Sequence, residues 1–501
     1  MSRRVPRLVL ASLALLVASA CGGNSAPAST ASAPASAAGA NAPAADAQAS
    51  LQEWPEFGLD PQRSNATSES TGITAANVSH LHRVHVELPG TVDSSAVYVH
   101  AADVAGGTHN AVFVTTTYGK TLAIDAESGH ILWTFTPSGY AHIAGSAQIT
   151  NAAPLVDPSR RYLYAVSPDG LVHKLSLADG SEIRSGSWPV SITRDATHEK
   201  VAPALNIAGR YLIVTTGGYI GDIPPYQGHV VAIDRESGAI RAVFNTLCAN
   251  RHSLIVPSSC HSSDSAIWSR AGAVVEPGGR RILVVTGNAP WNGTTDFGDS
   301  AIELTFPALR FRQAFTPTNQ QQLNEGDVDL GSGGPALLSS RQVLIGGKDG
   351  VLRVLDLAHM DGHAPSRHET LGGEAQTLPL PGGGELLSEP AVWHHGSATS
   401  VFVGGENGTA AYALRGARLH RIWENGNAGT SPVLAGGLLY VYDPAGGINV
   451  YVPSSGHLIT TLQASSGHWN SPIVVDGHVI EPEGDANDHA LSGTLDIFSV
   501  G

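Results

Sequence analysis

Apolar and polar positions alternate in short runs along most of this chain, and the runs come in pairs joined by an acidic turn closed with glycine. The clearest pair begins at Tyr118. Leu122 and Ile124 alternate with small or polar neighbours, Asp125 to Gly129 makes the turn, and Ile131, Trp133 and Phe135 resume the alternation. A period of two predicts a strand, a tight turn and an antiparallel return strand. Degenerate copies recur at 170–183, 228–244, 298–315, 350–362, 408–423, 447–462 and 493–500, and the first glycines of successive copies lie 39 to 70 residues apart. That spacing predicts one four-stranded antiparallel blade per copy, with loops of varying length. Apolar runs precede the copies, as at 111–117, 211–216, 282–287 and 343–347, and supply the inner half of each blade.

The eighth copy runs to the C-terminus with no apolar run after it, so its blade needs an outer strand from elsewhere. The alternating segment 81–88 near the start is the candidate, and pairing there closes the ring and hides its free edges. The predicted fold is all-β, an eight-bladed β-propeller of four-stranded antiparallel blades closed by an N-terminal strand. A solenoid would need capping repeats, and none is found. With 57 Gly, 30 Pro and only 14% charged residues, the composition is that of a turn-rich strand protein, so residues 51–501 read as one domain despite their length.

The first 50 residues lie outside that pattern. Arg3, Arg4 and Arg7, the apolar run 8–17 and the small residues 18–20 form a signal peptide over 1–20. Two cleavage readings stand. The segment resembles a lipoprotein signal with Cys21 as the lipid-bearing residue, and Ala18-Ser19-Ala20 also fits an ordinary secretory cut. Residues 21–50 are rich in Ala, Ser and Pro and form a flexible tether with a reach of about 30 Å. The expected location is exported and lipid-anchored in the periplasm or outer cell envelope, with the membrane touched through the lipid anchor only. No other apolar run is long enough to span a bilayer.

Cys248 and Cys260 bracket one loop, and in an oxidising compartment they predict a disulfide; metal binding by the pair is the weaker reading, since no C-x-x-C spacing is present. Net charge is -15, and removing the basic signal leaves 25 basic against 43 acidic residues, a balance that argues against a nucleic-acid partner. No C-x-x-C-H, G-x-S-x-G, P-loop or H-E-x-x-H motif occurs, which leaves covalent haem, hydrolase, nucleotide and zinc-protease readings without support. Residues 467–472 and 481–489 gather His468, Trp469, Glu483, Asp485, Asn487, Asp488 and His489, which read either as a metal or polar-ligand site or as an Asx-turn cluster.

The opening segment 54–67, the repeat phrase ending at Trp133 and the segment 285–292 resemble the quinoprotein, or pyrroloquinoline quinone (PQQ) repeat, propellers over residues 51–501. One branch of that family holds PQQ and calcium and oxidises alcohols. The other comprises outer-membrane assembly lipoproteins that use the repeat for structure and binding. The resemblance implies Trp268 as the floor on which a quinone stacks, Asn288 in Thr286-Gly287-Asn288 as a calcium ligand, and Lys348 as the cation on the quinone oxygens. It also implies Asp327 as the base and a calcium ligand, with Asp329 the second choice, and Asp93 in place of an early glutamate near the cofactor. There are departures as well. Gly326 replaces a tryptophan, Tyr219 or Ile220 stands where the family has its calcium glutamate with only Asp222 nearby, no vicinal cysteine pair occurs over 145–154, and Asn151 replaces an arginine. The leading expectation is a monomeric, non-redox binding or assembly module whose partner is an envelope protein, a glycan or a small molecule. The alternative is a PQQ- and calcium-dependent alcohol or sugar dehydrogenase.

Overall fold

The computed structural model describes residues 52–219, 221–363 and 368–501. The signal, Cys21 and the whole tether lie outside the described residues. The compact unit falls within Gln48–Gly501. Its strands form eight antiparallel sheets in one circuit: seven have four strands, and the first gains a fifth from Glu53–Trp54. In blade 1 the strands are Val97–Val104, Gly107–Thr115, Thr121–Asp125 and Ile131–Phe135, the last two being the pair legible in the sequence. The ring closes as expected. Strand His82–Leu88 lies outermost in blade 8, pairing from His82 with Ser499 to Leu88 with Gly493.

The repeat phrase also explains how neighbouring blades lock. Trp133, which ends blade 1, sends its indole N–H to the Leu177 carbonyl of blade 2 at 3.0 Å. Its ring lies over Gly180, where an added Cβ would come within 2.6 Å of the ring. Trp423 of blade 6 repeats this on blade 7, with a 2.7 Å bond to Pro453 and a ring over Gly456. Both glycines adopt a positive φ, so the turn and the docked ring each demand glycine. At the ring closure Val84 and Val86 pack against Gly129 of blade 1 in the same place, without a tryptophan.

Two outer strands depart from the repeat. In blade 2 the phrase after Gly180 makes only an isolated bridge, Leu175 to Glu182, and the outer strand is Val190–Ser191. In blade 5 it is Gln376–Pro379, well past the phrase. In both places the polar segment after the turn lacks the apolar alternation that a strand buried between blades requires.

One end of the ring is crossed by the segment 54–67. Pro55 accepts from Val156 N, Pro61 from Val275 N, Ser64 from Val392 N and Asn65 from Leu434 N, each at 2.8 or 2.9 Å. Blades 2, 4, 6 and 7 are thereby tied to one strap. At its centre Arg63, 0% exposed, bonds Glu56 and the carbonyls of Phe57, Leu205 and Ala271. Burial pushes the Glu56 carboxyl up to about 7, although Arg63 opposes this.

Candidate functional site

Above the strap, loops that enter the channel from several blades enclose a cavity of about 280 Å³. Trp268 and Trp469 give it aromatic walls, Lys200, Arg270, Lys348 and His468 line it with nitrogen, and Asp222, Asp329 and Glu385 with carboxylate. The strap backs the cavity: its Phe57 borders a small void together with Asn151, Arg270 and Trp469.

One wall is organised by Asp329. Its Oδ1 accepts from Trp268 Nε1 at 3.2 Å and from the Asn288 backbone N–H at 3.0 Å, and its Oδ2 lies 2.5 Å from Lys348 Nζ. Gly287 makes room for this, because a Cβ there would sit 2.1 Å from the carboxylate. Burial works against the charge on Lys348, but the adjoining carboxylate outweighs it and holds the ammonium above its ordinary value. Behind this wall Asp299 accepts from Leu330 N at 3.2 Å and from Gln320, and burial pushes its carboxyl up to about 8.

The opposite wall rests on Asp93, fully buried behind Arg270. It receives Arg270 Nη2 at 3.0 Å, Asn151 Nδ2 at 2.8 Å, His468 Nδ1 at 3.0 Å, and the Trp469 and Ala486 backbone N–H groups. Desolvation alone would raise this carboxyl; Arg270, His468 and the backbone donors together hold it well below its ordinary value. Arg270 also lies 4.5 Å from the Trp469 ring centre, a cation–π contact. Lys200 donates to Asn151 Oδ1 at 3.0 Å, and among the described residues it has no ion-pair partner. Burial first, then Arg270, lowers its ammonium to about 8.

Trp268, Asn288 and Lys348 are thus brought together through Asp329. Asp327 is exposed, in left-handed backbone (φ 55°), and acts on Asp222, Lys348 and Glu385 only through its field. Asp93 stands behind the cavity rather than in its wall. Asp222 lines the cavity, accepts from Tyr226 at 2.9 Å, and is raised by burial and by Asp329 and Asp327. Cys248 and Cys260 are joined in a disulfide. Arg270 and Lys200 had no role in the sequence reading, whereas His468 and Trp469 were named in the cluster read as a metal or polar-ligand site or an Asx-turn cluster. Lys200 and Arg270 are isolated basic residues outside any motif, so no signal in the sequence marked them.

A family model described as outer membrane protein assembly factor BamB matches residues 65–251. Among solved structures, the quinohemoprotein alcohol dehydrogenase from Comamonas testosteroni is 14% identical over 90% of this chain and 80% of its own, with a TM-score of 0.63. A europium-containing methanol dehydrogenase, 14% identical, covers 89% of this chain and 98% of its own at a TM-score of 0.64. BamB from Moraxella catarrhalis, also 14% identical, covers 84% and 99% at 0.51. No curated protein sequence matches. The fold defines an eight-bladed propeller with its cavity in the channel. Over residues 65–251 the chain is similar to the BamB family model, and as a whole it shares its fold with these propellers.

The residues present fit the two halves of a quinone site unequally. Trp268 with Lys200, Arg270 and Lys348 suits a flat anion. Calcium, which takes six to eight oxygens with several carboxylates, fits poorly. Asp329 is already bonded by two N–H groups and an ammonium, Tyr219 or Ile220 stands where the resemblance leads one to expect a glutamate, and Asp222 is drawn toward its neutral form.

Proposed function

We propose that this chain is an exported, lipid-anchored propeller of the cell envelope that binds a ring-bearing anion in its channel cavity without redox turnover. The observation that carries this reading is the pairing of charges. Lys348 is neutralised by Asp329 and Arg270 by Asp93, so among the described residues Lys200 is the lysine or arginine of the cavity without an ion pair, in a lining that also holds two tryptophans. The BamB family description, an outer-membrane assembly factor, supports the envelope location. Among the described residues no helix is long and apolar enough to cross a membrane.

The test is titration of the mature protein with PQQ, with and without calcium, followed by tryptophan fluorescence and by alcohol-dependent dye reduction. The expected result is binding indifferent to calcium, with no dye reduction. Calcium-dependent binding with turnover that is lost in Asp329→Ala would instead establish the dehydrogenase. That second reading is favoured by the meeting of Trp268, Asn288, Asp329 and Lys348.

Lys200 gives the binding a pH signature. Its ammonium is charged below about 8 and neutral above it, so affinity for an anion falls as pH rises from 7 to 9. Lys200→Met flattens the profile and weakens binding at pH 7 by about tenfold or more, the scale of one charge-assisted hydrogen bond. An unchanged profile in the variant would remove Lys200 from the site.

A further inference from the structure

The blade that closes the ring carries an unusual polar row inside it. Strand His478–Glu483 pairs with Gly493–Ser499, and that strand pairs with His82–Leu88. The register sets Glu481, Asp496 and His85 directly opposite one another, and Glu483 one pair further along on the same face. Glu481 and Asp496 are 0% exposed and Glu483 is 2% exposed. Among the described residues, the cations paired with these three carboxylates are Arg83 and His85. Asp496 is served by both, with His85 Nδ1 at 2.7 Å and Arg83 Nη2 at 2.6 Å. Glu483 accepts from Ser465 N at 2.7 Å and from Thr494 Oγ1 at 2.8 Å. Glu481 has neither oxygen bonded, although both are buried.

An unpartnered buried carboxylate beside two others is costly unless a proton or a cation compensates it. The geometry favours a cation. One ligand atom from each of His85, Glu483 and Asp496 lies within 4.8 Å of the others. A tetrahedral site with bonds of about 2.1 Å has ligands roughly 3.4 Å apart, which side-chain rotation can reach.

We propose that a divalent transition-metal ion, zinc or manganese, binds between His85, Glu483 and Asp496, with Glu481 as the adjacent carboxylate that completes or balances the site. The imidazole favours zinc over calcium or magnesium, and the carboxylates also admit manganese. Arg83, 38% exposed at its side chain, swings into solvent when the ion takes its place on Asp496. His85 comes from the N-terminal strand and the two acids from the C-terminal strands, so the ion cross-links the two ends of the chain at the seam of the ring. Because the three ligands converge only in the folded blade, binding stabilises the closed propeller by mass action.

The mature full chain, stripped with EDTA, is titrated with zinc, manganese, calcium and magnesium salts, read by calorimetry, bound-metal analysis and thermal unfolding. The expected result is one zinc or manganese ion per chain, with a melting temperature that rises with metal concentration. His85→Ala and the isosteric Glu483→Gln each weaken binding at least tenfold and abolish the rise. His109→Ala, at a histidine paired with Asp125 in blade 1, keeps both. Absence of stoichiometric metal, no metal-dependent shift, or a shift that survives His85→Ala overturns the proposal and leaves the row a proton-sharing cluster.

Discussion

Replacing Arg63 by methionine lowers the unfolding free energy by about 3–5 kcal/mol, the usual cost of removing one partner from a buried ion pair. Methionine fills most of the volume but leaves Glu56 and the carbonyls of Phe57, Leu205 and Ala271 without their donor. It also exposes Glu389, 0% exposed with both oxygens unbonded, to a site that has lost its compensating charge. The sign with pH follows from Glu56. Its folded value, about 7, lies above the ordinary 4.5, so the stability it contributes is fully present below about 4.5 and is lost as pH rises through 7. Without Arg63 that value climbs further, and the deficit of the variant widens between pH 5.5 and 8. Urea unfolding at the two pH values measures it, and Arg63→Met with Glu56→Gln recovers part of the loss. A deficit below about 1 kcal/mol at pH 8 would mean that the strap is held by its backbone bonds alone.

The blades were legible because each repeat carries its own local grammar: alternation, an acidic turn, a glycine and often a tryptophan. That grammar is written within some twenty residues, and it gave Thr121–Asp125 with Ile131–Phe135, and His229–Asp234 with Ile240–Asn245, directly. The seam was legible too, since His82–Leu88 alternates and has no partner nearby. The outer strands of blades 2 and 5 were not, because the chain there leaves the phrase and returns to pair elsewhere. The strap was recognised by resemblance, but its role was hidden. Pro55, Pro61, Ser64 and Asn65 meet residues some 100 to 370 positions away, and nothing in a polar, proline-containing segment announces those partners.

The candidate site shows the same division. Trp268, Asn288 and Lys348 could be placed from short motifs. The choice between Asp327 and Asp329 could not, because two acids two residues apart are distinguished only by the backbone that turns between them. A left-handed residue at 327 puts that side chain outside and the next acid against Trp268. Asp93 was picked out as a stand-in near the cofactor. Its actual setting, a buried hub joining the loops of blades 1, 2, 4 and 8, depends on contacts up to 393 residues apart in sequence.

That hub sets the second large effect, in which Asp93→Asn costs about 3–5 kcal/mol at pH 7. The amide keeps the shape of the side chain but removes the charge that faces Arg270 and turns one hydrogen-bond acceptor into a donor among five donors. Because the folded carboxyl of Asp93 lies well below its ordinary value of 3.8, its contribution is fully present above that value and is lost as pH falls through the folded one. The gap between native protein and variant therefore narrows as pH falls into strong acid, the opposite trend to Arg63→Met. The same substitution reaches the cavity. Asp93 is one of the charges that raise the Lys200 ammonium, while Arg270 lowers it. With Asp93 neutral, Lys200 loses its proton at a lower pH, so the midpoint for anion binding moves below about 8 and affinity at pH 7 drops, although Lys200 itself is intact. Fluorescence titration across pH 6–9 separates this from a merely loosened fold. A midpoint that stays in place while stability falls would show that the hub supports the wall of the cavity without tuning its charge.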